Sequence, residues 1–475
     1  MNPDDFRRHG HALVDWIANY FEQVERYPIL PRVEPGEITA SLPDAAPERG
    51  EPFEAIMADV ERLLVPGLTH WNHPGFLAYF DSCGSPPGVL GELLCAALNQ
   101  QAMLWRTSPA ATELEAVTLG WLRKLIGLPE AIEGVIYDTA SISTMHALLA
   151  ARELAVRDVR LRGLAGRDDL PRVRVYCSEQ THSSIDKSVI AIGLGQQSLA
   201  KIPVDAEYRM DATALSDAIA ADRAAGVLPI AAVATVGTTS TTSVDPVPAI
   251  ADICAREQLW LHVDAAYGGV AAMLPSHAHI LAGADRADSI VINPHKWLFT
   301  PVDLSALYCR RMDALRAAFA LTPEFILSGD EAAAARRNLM NTGIPLGRRF
   351  RSLKLWMILR SYGAEAIRER LAGHIRLAQL FASWVDAHPD FERLAPVPFS
   401  VVCFRWHPAD RALAHLDAVN QQLLDLVNQS GDVFLSHTRV REGVALRLAV
   451  GHLNTEERHI RRAWDLLVDR AATLR

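Results

Sequence analysis

The sequence predicts an α/β protein with a mostly parallel sheet, and two patterns carry that prediction. Between residues 134 and 309, short apolar runs rich in β-branched residues alternate with stretches of helical periodicity. Strands that alternate with helices need crossover connections, which leave the sheet parallel and covered on both faces. After residue 366 a shorter set of strands and helices follows, which predicts a separate small α+β domain.

The composition is that of an ordinary globular protein. The 475 residues are 49% apolar and 22% charged, and the net charge of −9 argues against a nucleic-acid surface. The six cysteines stand singly, with no spacing typical of a zinc site, so we expect reduced thiols and no metal. The acidic start and the lack of an apolar run long enough to cross a bilayer predict a cytoplasmic protein without a membrane partner.

Residues 1–87 predict an N-terminal helical arm. Apolar residues recur at helical spacing from Phe6 to Val24, and Asp4 or Asp5 is a candidate N-cap. A proline-rich connector leads to a second helix at 53–64. Two thin helices cannot bury a core of their own, so we expect the arm to pack on a partner subunit.

The large domain is predicted to span residues 88–365 and the small C-terminal domain residues 366–475. In the large domain we expect strands at 134–139, 172–177, 229–236, 259–263, 289–292 and 305–309, and helices at 88–104, 110–126, 144–159, 185–192, 211–225, 247–257 and 353–362. In the small domain we expect strands at 400–406, 433–440 and 444–450, and helices at 367–387, 413–429 and 455–472.

Ligands of an open parallel sheet bind beyond the carboxyl ends of its strands, so the residues after each strand are the candidate site. The first strand runs into a turn of small hydroxyl residues at 137–144, which suits a phosphate or simply caps a helix. His182 follows the second strand, as a stacking residue for a flat ligand or as a solvated histidine. The hydroxyl-rich loop 237–243 follows the third, as a donor to a ligand oxygen or as a polar loop.

Two further strand ends complete the set. Asp264 follows an apolar strand, where a carboxylate needs a cationic or N–H partner unless it is a turn residue. Lys296 follows the strand at 289–292 and stands between an imidazole and an indole. A desolvated lysine there can form a Schiff base with a carbonyl, although a surface lysine is the commoner case. Together these five strand ends describe a site for pyridoxal phosphate.

Longer motifs carry a resemblance to a known family. They are Thr-His-Ser-Ser at 181–184, His-Val-Asp-Ala-Ala-Tyr at 262–267, Asn-Pro-His-Lys-Trp at 293–297, and the stretches 108–115 and 345–354. These motifs resemble the group II pyridoxal-phosphate decarboxylases, in the aromatic-L-amino-acid decarboxylase branch, over nearly the whole chain. The resemblance implies fold type I of the pyridoxal-phosphate-dependent transferases with a seven-stranded sheet, and a homodimer with active sites at the interface.

The resemblance also implies a role for each site residue. Lys296 would form the Schiff base, Asp264 would pair with the pyridinium nitrogen, and His182 would stack on the ring. The other cofactor contacts would come from Thr139, Ala140, Ser141, Thr239, Ala266, Asn293 and His295. The substrate would meet Trp71, Phe80, Asp81, Ser82 and Gly347, with Gln101 and Met103 contributed by the partner subunit.

Some positions depart from the family. Asp81 replaces a proline of the pocket wall, and either selects an amino-bearing side chain or is a surface residue of a loop. Gly347 stands where some relatives carry serine and leaves room for bulky rings. Asp138 also departs from the family's phosphate turn, and its role is open.

Phe325 departs at the position that bears most on the reaction. The family attributes protonation of the substrate's Cα to a loop tyrosine, and the aligned Phe325 has no proton to give. The resemblance implies decarboxylation of phenylalanine, tyrosine, tryptophan or dihydroxyphenylalanine to an arylalkylamine. The Tyr-to-Phe change marks the family's aldehyde synthases, so oxidative deamination to an aryl acetaldehyde is the alternative. A catalytically silent cofactor-binding protein is disfavoured because Lys296, Asp264 and His182 are all present.

Overall fold

The computed structural model describes residues 1–321, 338–409 and 415–475. Within these ranges the chain forms two compact units. The first unit consists of Met1–Asp81, Ser383–Glu392 and Phe404–Arg475, and the second of Ser82–Ala382 and Arg393–Cys403. The division into an arm, a large domain and a small domain stays a prediction.

The strands form two sheets. They are β1 (Phe76–Leu77), β2 (Glu133–Tyr137), β3 (Val173–Ser178), β4 (Leu199–Ile202), β5 (Leu228–Thr235), β6 (Trp260–Asp264), β7 (Ser289–Ile292), β8 (Ser305–Cys309), β9 (Phe391–Arg393), β10 (Val401–Trp406), β11 (Phe434–Val440) and β12 (Gly443–Ala449). The seven-stranded sheet has the order β2-β8-β7-β6-β5-β3-β4, and the five-stranded sheet has the order β1-β11-β12-β10-β9.

The seven-stranded sheet is mostly parallel, as expected. Strand β8 runs antiparallel to both of its neighbours, β2 and β7, whereas the pairs from β7 through β4 are parallel. Buried Val, Leu, Ile and Ala side chains of the sheet and of the helices on it form a continuous core. The edge strand β4 was not expected from the sequence, because only Ile202 of its four residues is fully buried.

The helices occupy most of the remaining chain. They are α1 (Pro3–Gln23), α2 (Glu37–Ser41), α3 (Phe53–Asp59), α4 (Pro86–Leu98), α5 (Pro109–Leu125), α6 (Ala140–Ala155), α7 (Val159–Arg162), α8 (Ser184–Ala191), α9 (Ala212–Ala224), α10 (Val247–Glu257), α11 (Pro294–Trp297), α12 (Met312–Phe319), α13 (Ser352–Ala387), α14 (Leu416–Asn428) and α15 (Glu457–Thr473). Among the described residues, no helix is long and apolar enough to cross a membrane.

The start of α1 corrects one expectation. Neither Asp4 nor Asp5 is the N-cap; the side chain of Asn2 accepts a hydrogen bond of 2.8 Å from the Asp5 amide. Pro3 explains the earlier start, because a proline in the first helical position has its φ already fixed and lacks only an N–H that would be unpaired anyway. The two aspartates instead lie in the first turn, where the helix dipole favours negative charge.

The six cysteines (Cys83, Cys95, Cys177, Cys254, Cys309 and Cys403) are all buried, and none forms a disulfide. The described residues contain no cluster of histidine, cysteine or carboxylate side chains that could hold a metal ion.

Candidate active site

The turn after β2 presents backbone donors. Helix α6 begins at Ala140, four residues earlier than the sequence predicts, with Thr139 as an extended N-cap whose side chain caps no amide. The amides of Ala140 and Ser141 therefore lie in the first turn, where backbone N–H groups have no acceptor inside the helix. The Thr139 amide is already used, because it donates to the Asp138 carboxylate over 2.6 Å. This turn can hold an anion such as a phosphate.

Lys296 lies in the single helical turn that follows β7. Asn293 ends the strand, Pro294 starts the turn, and the Lys296 side chain is half-buried. Next to it, His295 Nδ1 accepts a hydrogen bond of 2.9 Å from the Leu304 amide. Burial, and then the charge of Lys296, lower the pKa of His295 to about 4, so its imidazole is neutral near pH 7.

Asn293 carries a buried polar atom that a ligand could satisfy. Its side-chain nitrogen lies 3.2 Å from His295 Nε2, and its Oδ1 has no hydrogen-bond partner in the part of the chain that the structure describes. Buried polar atoms are normally paired, so an unpaired acceptor three residues before Lys296 fits a bound ligand that brings a hydrogen-bond donor.

Asp264 and His182 lie beside Lys296. Asp264 is buried at the end of β6, and its Oδ1 accepts a hydrogen bond of 3.1 Å from the Ala266 amide. The Ala266 carbonyl in turn accepts from the Asn293 amide over 3.0 Å, which ties the ends of β6 and β7 together. Burial lowers the pKa of His182, with the Lys296 charge as the second cause and Asp264 opposing it. The three groups are thus close enough to interact electrostatically.

The orientation of the His182 ring is fixed by Ser184. The Ser184 amide donates to His182 Nδ1 over 3.1 Å, and the Ser184 hydroxyl lies 2.9 Å from the same nitrogen. The ring keeps access to solvent in this chain. Thr239 is also exposed; it lies within loop 237–243, where the hydroxyls of Thr238 and Thr241 are 3.1 Å apart.

Three of the predicted substrate residues lie together in the second unit. The Arg348 amide donates to Gln101 Oε1 over 3.2 Å, and a Cβ added at Gly347 would lie 3.3 Å from the same oxygen. The carbonyl of Met103 accepts from the Met340 amide over 3.1 Å. The structure therefore brings Gln101, Met103 and Gly347 into one neighbourhood.

The other predicted substrate residues lie in the segment 71–82, which precedes α4 in the sequence. Ser82 is half-buried and belongs to the second unit, whereas Trp71, Phe80 and Asp81 belong to the first. Trp71 is exposed on one side, and the guanidinium of Arg447 lies 4.7 Å from the centre of the Phe80 ring. Asp81 is only 3% exposed, so the interpretation of this aspartate as a surface residue is wrong. Phe325 lies outside the described residues.

Sequence reasoning missed two buried groups near these residues. One is the ion pair between Arg348 and Glu115, with an N–O distance of 2.8 Å. The other is His262, whose ring nitrogens lie 3.0 Å from the Thr144 hydroxyl and 2.8 Å from the Ser289 hydroxyl. The sequence contains one indication of their importance: Arg348, Glu115 and His262 lie inside the motifs 345–354, 108–115 and 262–267. Contacts between segments so far apart in the chain cannot be derived from the spacing of residues.

The site therefore combines a half-buried amine, a buried carboxylate, a neutral imidazole and the backbone N–H groups at the start of α6. An amine can bind an aldehyde covalently, a carboxylate can hold a protonated ring nitrogen, and the donors can hold a phosphate. This donor set fits pyridoxal phosphate. The described residues offer no comparable set of ligands for a metal ion.

Comparisons with known proteins agree with this assignment. The family model described as the pyridoxal-dependent decarboxylase conserved domain matches residues 35–407. The chain is 39% identical to phenylacetaldehyde synthase of Arabidopsis thaliana, over 100% of this chain and 97% of that protein. It is 39% identical to aromatic-L-amino-acid decarboxylase of Sus scrofa, over 100% of this chain and 98% of that protein.

A solved structure shows the same architecture over the whole length. The crystal structure of Oryza sativa TDC with PLP and tryptamine superposes with a TM-score of 0.95 at 36% identity, covering 100% of this chain and 99% of that one. The family model spans well over half of the sequence, and the relatives align along all of it. The chain belongs to the pyridoxal-dependent decarboxylases, in the branch of the aromatic-L-amino-acid decarboxylases and aromatic aldehyde synthases.

Proposed function

We propose that this chain uses pyridoxal 5'-phosphate to remove the carboxyl group of aromatic L-amino acids, with Lys296 as the residue that binds the cofactor. The observation that carries the proposal is that Lys296, Asp264 and His182 lie at or just after the carboxyl ends of three parallel strands of one sheet, and that the charges of Lys296 and Asp264 both act on His182. The aromatic substrate class is supported by relatives that are named as aromatic-L-amino-acid decarboxylases, tryptophan decarboxylases and phenylacetaldehyde synthase.

The cofactor, when bound, supplies an electron-accepting ring that stabilises the carbanion left as CO₂ departs from Cα. Asp264 would hold a proton on the ring nitrogen, because a buried carboxylate needs a cationic partner. His182 would stack on the ring, and its lowered pKa favours a neutral imidazole that adds no positive charge beside Lys296. The phosphate would be held by the start of α6 (Thr139, Ala140 and Ser141), by Asn293 and by His295, and Ala266 and Thr239 would contact the rest of the cofactor. Trp71, Phe80, Asp81, Ser82, Gln101, Met103 and Gly347 receive the substrate, as the family resemblance implies.

The Lys296→Ala variant tests the cofactor assignment. Lysine-bound cofactor absorbs visible light, and we expect this absorbance and CO₂ release to be lost together. Lys187 is a matched control, because it is exposed and its charge also affects the pKa of His182. If Lys187→Ala abolished the absorbance, or if Lys296→Ala retained it, another lysine would be the attachment point. Absorbance without CO₂ release in the unmodified protein would instead indicate a silent cofactor-binding protein.

The product is the second part of the proposal, and we propose the arylalkylamine. Phe325 favours the aldehyde as a specific alternative, since no phenol stands at that position to protonate Cα. In the oxidative reaction, amino acid, O₂ and H₂O give aldehyde, CO₂, NH₃ and H₂O₂. Assays under air with phenylalanine, tyrosine, tryptophan and dihydroxyphenylalanine separate the two. Equal yields of amine and CO₂ without peroxide support decarboxylation alone, and equal yields of aldehyde, peroxide and CO₂ overturn the amine proposal.

Phe325→Tyr tests the role of that position directly. A tyrosine restores a proton donor, so we expect the fraction of amine among the products to rise. Phe325→Leu is the control, because it changes the side chain without adding a donor. An unchanged ratio of amine to aldehyde in Phe325→Tyr would show that another group protonates Cα.

We also propose a homodimer whose sites are shared between subunits. Helix α4 exposes four leucines at helical spacing, Leu90, Leu93, Leu94 and Leu98. A stripe of this kind on a folded chain marks an association surface. The family resemblance implies a homodimer, so the partner for this surface would be a second copy of the chain. The six buried thiols support a reducing cytoplasm as the location.

Mixing two inactive variants tests the shared site. If Met103 acts on the partner's Lys296, a heterodimer of Lys296→Ala and Met103→Asp has one intact site. Because about half of randomly paired dimers are mixed and each has one good site, activity should return to about a quarter of the normal level. No recovery, with mixed dimers demonstrated by light scattering and affinity tags, would mean that both residues serve the site of their own subunit.

A further inference from the structure

Arg348 and Glu115 form a buried ion pair in the second unit. Their residues are 8% and 2% exposed, and the guanidinium contacts both carboxylate oxygens, at 2.8 and 3.3 Å. A buried ion pair is costly to desolvate, and well-packed apolar residues of similar volume often serve stability equally well. The pair therefore calls for a reason other than stability.

The pair joins strand β2 to segment 101–103. Glu115 accepts from the Ile136 amide over 2.8 Å, and Arg348 donates to the Ile136 carbonyl over 2.6 Å. Arg348 also donates to the Ala102 carbonyl over 3.2 Å, and its own carbonyl accepts from the Ala102 amide over 2.8 Å. Ile136 lies in β2, three residues before Thr139 of the phosphate-binding turn.

The same contacts reach the predicted substrate residues. Ala102 lies between Gln101 and Met103, and the Arg348 amide donates to Gln101 Oε1 over 3.2 Å. Gly347 directly precedes Arg348 in the sequence. The planar guanidinium contacts both oxygens of one carboxylate and also two carbonyls, and the three donors on the single nitrogen of a lysine do not reproduce that planar arrangement.

We propose that Arg348 and Glu115 are positioning residues that hold segment 101–103 in place on strand β2 of its own subunit, and so determine which aromatic side chain is accepted by the site to which this segment contributes. This inference rests on the proposed function. Neither residue contacts the reacting atoms; they act through the backbone of residues 101–103. Loosening the pair should therefore change substrate binding and selectivity more than turnover.

The experiment replaces the pair by apolar residues of similar size, as Glu115→Leu with Arg348→Met. With tryptophan, tyrosine and phenylalanine as substrates, we expect KM for the preferred one to rise about tenfold while kcat stays within about threefold. The differences in kcat/KM among the three substrates should become smaller. In hydrogen exchange, the peptide covering 99–104 should exchange about tenfold faster, with the middle of α5 unchanged.

A second ion pair of the same unit is the matched control. Arg174 contacts both oxygens of Asp222, at 3.0 and 3.2 Å, on strand β3 and helix α9. The change Arg174→Met with Asp222→Leu removes a comparable pair that bonds to neither 101–103 nor β2. It should leave KM, selectivity and exchange of 99–104 unchanged.

Milder variants cover the case in which the double variant fails to fold. Arg348→Lys keeps the charge and loses the spread of donors, and Glu115→Gln keeps an acceptor for the Ile136 amide. Both variants should also raise KM and speed the exchange of the peptide 99–104, by smaller factors than the double variant. Unchanged KM and exchange in these folded variants would overturn the proposal, as would an equal KM shift in the control pair. Absence of CO₂ release from the unmodified protein would instead refute the proposed function, and the exchange result would still test the positioning role.

Discussion

Asp264 is the residue whose environment most constrains its role. It is buried and accepts a backbone hydrogen bond of 3.1 Å from the Ala266 amide, and a protonated ring nitrogen is the partner that we propose for it. We expect Asp264→Asn to lower the rate of CO₂ release at least about a hundredfold, because a neutral amide does not keep that nitrogen protonated. The absorbance of the bound cofactor should remain.

Asp264→Glu is the control that separates the effect of the negative charge from the effect of side-chain length. It keeps the carboxylate, so it should retain more activity than Asp264→Asn. A rate for Asp264→Asn equal to that of the unmodified chain would show that the ring nitrogen needs no carboxylate partner here.

Gly347 bears on substrate size. A Cβ at this position would lie 3.3 Å from Gln101 Oε1, which is a tight contact, and a serine would add a further oxygen. We expect Gly347→Ser to lower kcat/KM for tryptophan relative to tyrosine by about tenfold, because a filled pocket discriminates by size. Gly373→Ser is the control, with only Arg376 near its Cβ at 3.7 Å. Equal losses for both substrates would place Gly347 outside the pocket.

At the scale of elements, helix α13 is interrupted at a single glycine. Gly363 has φ +71° and ψ 163°, a conformation that side-chain-bearing residues rarely adopt, and the two flanking helices match those expected at 353–362 and 367–387. Gly363→Ala should therefore lower stability by about 1–3 kcal/mol through strain alone, since nothing lies within 4 Å of the new Cβ.

Gly120 in α5 is the matched control for Gly363. Its Cβ would also meet nothing within 4 Å, but its backbone is helical. Gly120→Ala should raise stability by up to about 1 kcal/mol. Thermal unfolding midpoints of the two variants measured side by side should move in opposite directions. A rise for Gly363→Ala would mean that the helix break relaxes at no cost.

The sequence predicted those elements whose pattern is local. Strands β7 and β8 lie at the predicted residues because their β-branched and apolar runs are completely buried. Helix α6 begins earlier than predicted because its first turn consists of small and hydroxyl residues, which are typical of caps as well as helices. The contact between Arg348 and Glu115 spans 233 positions, and no spacing rule reveals it.

The candidate site was predictable to the extent that parallel strands end at one edge. That rule brought together His182, Asp264 and Lys296, which lie far apart in sequence. It could not reveal that Asp81 is buried, because burial of a loop residue depends on segments distant in the chain. Nor could it predict that the Thr139 amide donates a hydrogen bond to the Asp138 carboxylate.

At the scale of the whole molecule, buried histidines make stability depend on pH. Burial lowers the pKa of His73, His146, His262 and His295 from 6.5 to about 4. The unfolded chain takes up these protons as pH falls below about 6.5, whereas the folded chain does not until about 4, so folding stability falls across this window. Asp245 opposes the trend, because burial raises its pKa to about 7 and the folded chain gains that proton first.

We therefore expect a lower thermal midpoint at pH 5 than at pH 7, because the four histidines outweigh the one aspartate. His146 allows a clean test, because its ring packs edge-on against Tyr137 and Phe319 and its Nδ1 has no hydrogen-bond partner among the described residues. His146→Phe keeps an aromatic ring and removes the proton site, so the difference between the two midpoints should shrink. Asp245→Asn removes the opposing group, so the difference should grow. If both variants left the difference unchanged, acid sensitivity would originate in other groups.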